Sequence, residues 1–318
     1  MKNQLTGPMG QGMKRHLVLQ RSFGLALKGA EGILDAFDRY LAVNFPNAKR
    51  VTRDSIVGYL ETTRHLQSET RRHYLACLRQ FCRFLFHLNP KTYIPEKHLL
   101  PPGKIKIRSH IYSEAELESI LRAARQLGPP HSLRPHTSTT IFSLLWVSGM
   151  RISEVLNLNL GDADLETGVI YIRETKFYKS RLIPLSPSST AALRRYRNQR
   201  ARYGHSCHSV APLFVNQRGK RCGLRGIQHV FCDIVEELKI KTVQGRRPRI
   251  HDFRHSFATR WLHEFYKSGK DPTAYLPILA TYLGHCNIAN TQVYLRPSLE
   301  LLRTAGKQFK NHIHQQKG

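Results

Sequence analysis

Acidic side chains are scarce in this sequence: 22 Asp and Glu face 50 Lys and Arg in 318 residues, a formal net charge of +28 at pH 7. That shortage favours a polyanionic partner, because each phosphate neutralised by Lys or Arg releases condensed counterions. Nucleic acid is the first candidate. An anionic membrane surface is the rival, but it needs an amphipathic helix or a lipid anchor, and neither motif is present. No apolar run approaches the length that spans a bilayer, and the opening MKNQLTGPMGQGMKRH lacks the apolar core of a signal peptide, so the chain is expected in the cytoplasm. Its 6 cysteines have no framework spacing, as expected of reduced thiols. His205, Cys207, His208 and Cys222 fit no common metal-ligand pattern and read as chance clustering in a loop, so no metal or other cofactor is expected. Low-complexity tracts and internal repeats are absent too.

What is present suits a folded chain: 41% hydrophobic and 9% aromatic residues, and a length that suggests two globular units. Residues 1–22 read as a tail. Residues 23–89 read as an all-helical unit with basic faces. Its helices are expected in LALKGAEGILDAFDRYLAVN, TRDSIVGYLETT and SETRRHYLACLRQFCRFLFHL, the last capped by Ser68. Arg71, Arg72, Arg79 and Arg83 are either nucleic-acid contacts or a solvated face. Residues 90–112, with four prolines and the basic string Lys104, Lys106, Arg108 and His110, read as an extended linker. A basic linker between basic units suits a clamp around a duplex; a plain tether is the alternative.

Residues 113–302 form the second unit, and 303–318 a basic C-terminal tail. The unit opens on a capping box from Ser113 to Glu116. The expectation is a mainly α fold with one small antiparallel β-sheet: a strand pair, GVIYIRE and RLIPLSP, sits among helices, with Pro184 at an edge or strand end.

Four segments of this unit carry residues suited to chemistry. In SGMRISEVLNL, Arg151 lies amid core-forming sequence and needs an anionic partner, which Glu154 supplies if the pair is merely structural. In TKFYKSRLIPL, Lys176, Lys179 and Arg181 lie in and after a turn that is either aimed into a DNA groove or simply solvated. In HDFRHSFATRW, helical spacing lets His251, Arg254 and His255 share one face. A guanidinium that forks onto phosphate oxygens then stands beside imidazoles that exchange protons near neutrality. In LGHCNIANTQVYL, His285 precedes Tyr294 by nine residues; a tyrosine hydroxyl is a nucleophile once deprotonated or held beside cations, and is otherwise a core residue.

In order and character these segments resemble the tyrosine recombinase or phage integrase family. Its catalytic domain carries an Arg in G-x-R-x-S-E, a hairpin Lys, H-x-x-R-H, L-G-H and a Tyr nine residues after that His. The resemblance, strongest from about Ser113 to Leu302, implies Arg151, Lys176, His251, Arg254, His285 and Tyr294 as the catalytic set, with Lys179 the alternative hairpin lysine. It also implies a helical DNA-binding first unit and site-specific recombination of double-stranded DNA through a 3'-phosphotyrosyl bond. Neither metal nor ATP would be used, and the enzyme would act as a homo-oligomer, a tetramer on paired sites, possible also with related recombinases. A type IB topoisomerase shares the nucleophile but works as a monomer. A catalytically idle DNA-binding module is opposed by the complete set of six residues.

Overall fold

The computed structural model describes residues 5–25, 27–102, 108–129, 131–173, 180–284, 287 and 289–292. The chain divides into two compact units between Lys106 and Ile107.

The first unit is helical: α1 (Gly10–Ser22), α2 (Lys28–Asn44), α3 (Arg53–Thr62) and α4 (Ser68–Leu88). Helices α2 to α4 fall where apolar spacing predicts them. Ser68, expected as the cap of α4, is instead its first residue, with Gln67 in the cap position. The larger departure is α1, in a stretch expected to be a tail. Met9, Met13 and Leu17, spaced four apart, are buried in one core with Leu34, Phe37, Leu41 and Phe81. The chain enters α1 on Asp38, whose buried carboxylate accepts the backbone N–H groups of Gly7 at 2.7 Å and Met9 at 3.2 Å. The expected linker is folded at both described ends. Tyr93, Ile94, Leu99 and Leu100 pack against the first core, while Tyr112 belongs to the second. Residues 103–107 lie outside the described set.

The second unit is mainly helical, with a three-stranded antiparallel sheet. Helices α5 (Glu114–Arg125), α6 (Arg134–Ser148) and α7 (Ile152–Asn157) precede the sheet. Its strands are β1 (Ala163–Asp164), β2 (Val169–Ile172) and β3 (Arg181–Pro184), in that order across it. The reciprocal Ser113–Glu116 cap opens α5 as the sequence suggests. Strands β2 and β3 pair as expected, Ile170 opposite Ile183, with Pro184 closing the edge strand β3. Strand β1, only two residues long, is too short to show a period in the sequence. Helices α8 (Pro187–Arg202), α9 (Leu224–Glu237), α10 (Asp252–Lys267), α11 (Leu276–Leu283) and α12 (Ala289–Gln292) complete the unit.

Aromatic packing fixes the start of α10. Phe253 stacks on Tyr112 at 4.7 Å and meets Phe142 of α6 and Phe231 of α9. A smaller cluster, with Phe257 and Leu262 of α10 against Leu279 and Leu283 of α11, joins those two helices. Rings with large buried area hold α10 on both sides, so its first turn can present polar groups at fixed positions.

Candidate active site

Three of the expected site residues, Arg151, His251 and Arg254, are described, and the fold brings the two arginines to one place. Arg254 is 2% exposed. Its guanidinium donates to the carbonyl of Gly149 at 2.9 Å and to that of Leu283 at 2.6 Å. Arg151 is half-buried and donates to the carbonyl of Gly284 at 3.1 Å. The last carbonyls of a helix have no intrahelical partner and mark the negative end of its dipole. Two guanidiniums therefore cap α11 through adjacent carbonyls, and the residue that follows Gly284 in the chain is His285.

Both glycines at this junction are needed. Gly149 ends α6 at φ +59 and a Cβ there would come within 2.4 Å of the Phe257 ring. Gly284 ends α11 at φ +68 and a Cβ would meet Arg181 Nη1 at 2.8 Å. Positive φ without a side chain is a glycine property.

Glu154 organises the arginines. Its carboxylate accepts Arg151 N at 2.8 Å and Arg151 Nη1 at 2.7 Å. The same two oxygens accept Arg181 Nη1 at 3.1 Å and Nη2 at 2.7 Å. Burial would raise the pKa of this carboxyl, but the hydrogen bonds and charge of Arg181, with those of Arg151, outweigh it and hold the group ionised. The salt-bridge reading of Arg151 and Glu154 is thus correct as far as contacts go, and Arg181 is a third member that the sequence left among the basic turn residues. The signal that finds it is strand alternation. Arg181 and Ile183 share the inward face of β3, while Leu182 between them is 61% exposed.

His251 stands at the N-cap position of α10, and its ring meets that of His255 edge-on at 5.3 Å. Helical spacing thus places His251 and His255 together as expected, whereas Arg254 turns inward. Partial burial, with the positive charges of Arg254 and Arg249, lowers the pKa of His251 below 6.5. Burial and the neighbouring His251 take His255 down to about 4. Both imidazoles are neutral at pH 7, so each offers an acceptor nitrogen. Asp252, between them in sequence, is buried and paired with Arg249 at 3.0 Å.

Lys176, Lys179, His285 and Tyr294 lie outside the described residues. Among the described residues no group of three or more His, Cys, Asp and Glu side chains is placed to hold a metal ion, and no helix is long and apolar enough to cross a membrane.

A model of the phage integrase family matches residues 111–300. A Sinorhizobium fredii protein named "Putative integrase/recombinase y4rB" is 33% identical over 304 residues, covering 94% of this chain and 96% of that protein. The tyrosine recombinase XerC of Bacillus subtilis is 31% identical over 238 residues, covering 72% of this chain and 70% of that one. Among solved structures, the Tn1549 transposon integrase in complex with transposon right end DNA has a TM-score of 0.64 at 17% identity, covering 93% of this chain and 98% of the other.

Proposed function

The chain belongs to the phage integrase family of tyrosine recombinases, enzymes that cleave and rejoin DNA, and from that premise we propose that it is a site-specific recombinase working through a 3'-phosphotyrosyl intermediate on Tyr294. The Tyr294 hydroxyl oxygen attacks a backbone phosphorus. The new O–P bond replaces the bond to the 5'-oxygen, and the tyrosine proton passes to His251. Lys176, or Lys179 if the hairpin register differs, protonates the departing 5'-oxygen. Attack by a 5'-hydroxyl reverses the same steps and rejoins a strand, so the linkage conserves the bond energy and no ATP is consumed. Charge that builds on the nonbridging oxygens meets Arg151, a hydrogen bond from His285, and the positive charge of Arg254 from inside the protein. Fixed cations of this kind take the electrophilic role that a metal ion fills in other phosphoryl transfers.

The observation that carries this reading is the convergence of Arg151 and Arg254 on the Leu283 and Gly284 carbonyls, beside a neutral His251. Double-stranded DNA is the proposed substrate, as the excess of 50 Lys and Arg over 22 Asp and Glu favours. Assembly as a homo-oligomer, a tetramer on paired sites, follows from the recombinase reading.

The test is to trap the enzyme on a nicked suicide substrate and resolve the products on a denaturing gel. Wild-type protein forms a covalent adduct, and Tyr294→Phe binds the site normally but forms none, because only the nucleophilic oxygen is removed. An undiminished adduct from Tyr294→Phe would sink the assignment.

A further inference from the structure

We propose that Arg181 is a positioning residue for strand cleavage: it holds Arg151 in register through their shared carboxylate, Glu154, and ties strand β3 to the arginine cluster. The inference rests on the reading of Arg151 given above and extends it to a residue outside the expected catalytic set.

Three observations carry it. First, Arg181 and Arg151 bind the same two oxygens of Glu154. Nη1 of each donates to Oε1, at 3.1 and 2.7 Å, while Arg181 Nη2 and the Arg151 backbone N–H donate to Oε2, at 2.7 and 2.8 Å. Glu154 can swing away from Arg151 only by breaking its fork to Arg181. Second, the cluster is poorly hydrated, the Glu154 and Arg181 side chains being 8% and 11% exposed, yet it carries two guanidiniums on one carboxylate. A buried ion pair kept for stability alone is best balanced, since each unpaired buried charge is costly. The excess positive charge suits a site that receives an anion. Third, Arg181 lies against the backbone of Gly284, whose carbonyl accepts from Arg151. One side chain, on the first residue of β3, therefore reaches both the carboxylate that orients Arg151 and the end of α11.

Arg181 is too enclosed to serve as a surface DNA contact, and its forked, planar donor set matches a carboxylate in a way that a lysine ammonium does not. Its removal leaves Glu154 held by Arg151 alone, free to draw the guanidinium out of line. Loss of alignment at a reacting centre costs rate more than it costs binding.

The experiment measures single-turnover adduct formation at saturating protein, together with site affinity, for Arg181→Ala, Arg181→Gln and Arg181→Lys. Each is made in the wild-type and the Arg151→Lys background, with urea midpoints to separate loss of folding. In the wild-type background Arg181→Ala slows adduct formation by about 10- to 100-fold, with affinity changed less than about threefold. In the Arg151→Lys background, where the guanidinium being positioned is already gone, the same change costs less than about twofold, because neighbours acting through one group are not additive. Arg181→Lys does not restore the rate. Should Arg181→Ala fail to fold, Arg181→Gln, which keeps most of the side-chain volume, is read by the same criteria. Equal slowing in both backgrounds, or a full rate in folded Arg181→Ala or Arg181→Gln beside a reactive wild type, overturns this inference alone. Absence of any adduct from the wild-type protein overturns the reading of Tyr294 and this inference with it.

Discussion

His255 and His251 show how a residue's surroundings decide its protonation. A histidine whose pKa is lowered on folding leaves the unfolded chain binding more protons in acid, so it contributes stability above its unfolded pKa of 6.5 that is lost as pH falls toward the folded value of about 4. Between pH 7 and pH 5 the loss from His255, discounted for its part exposure, is about 1 to 2 kcal/mol. Urea midpoints across that range should therefore fall more steeply for wild-type protein than for His255→Gln. Equal slopes would show that the ring is not held neutral by the fold. His251 is lowered in the same direction, by partial burial and by Arg254 and Arg249. If it accepts the tyrosine proton, the acid limb of adduct formation lies below pH 6.5 rather than at it. Lys176 and Lys179 admit an equally local test. A substrate with sulfur in place of the bridging 5'-oxygen releases a thiolate, which barely needs a proton, since thiols have pKa near 8.5. Lys176→Ala should regain much of its lost cleavage rate on that substrate while Tyr294→Phe stays inactive. Rescue of Lys179→Ala alone would move the role three residues along.

Elements differ in how much of themselves the sequence discloses. Helix α4 is expected over SETRRHYLACLRQFCRFLFHL and occupies those residues, because its buried Leu75, Leu78, Phe81, Cys82 and Leu85 repeat at helical spacing. Helix α1 has too few apolar positions, and too many glycines around its start, to be seen the same way. It is held by Asp38, 29 residues from Met9, and that contact has no local signature. Removing the carboxylate should undo the missed element. Asp38→Ala leaves the Gly7 and Met9 N–H groups without their acceptor at a buried site, and bonds to a charged group are worth about 1.5 to 3 kcal/mol. The expected result is a urea midpoint lowered by that order and earlier proteolysis within residues 10–22, with Asp38→Asn milder. An unchanged proteolysis pattern would show that α1 is held by its apolar stripe alone. The candidate site divides in the same manner. Its residue types and order were legible because each segment carries them within a few positions. The inward turn of Arg254 and the sharing of Glu154 between Arg151 and Arg181 were not, because they depend on helix ends 29 and 105 residues from Arg254 and on the register of a strand 27 residues from Glu154.

At the scale of the whole molecule the governing quantity is charge. A net +28 spread over 318 residues gives binding that depends on counterion release, while the chemistry proposed here depends on guanidinium and ammonium groups fixed in the chain. The two respond to different solution variables, and that separates them. Raising monovalent salt weakens site binding steeply. With about 8 phosphate contacts the slope of log K against log salt is near −7, and each surface Arg or Lys that truly meets a phosphate lowers that slope by about 1 when replaced. Chelation acts on the other variable. If fixed cations alone stabilise the transition state, saturating protein forms adduct at the same rate in excess EDTA as in magnesium, because no charge at the reacting phosphate is removed. Complete loss of cleavage in EDTA, restored by magnesium, would mean that the arginine cluster is not the electrophile. The excess charge of the chain would then account for binding alone.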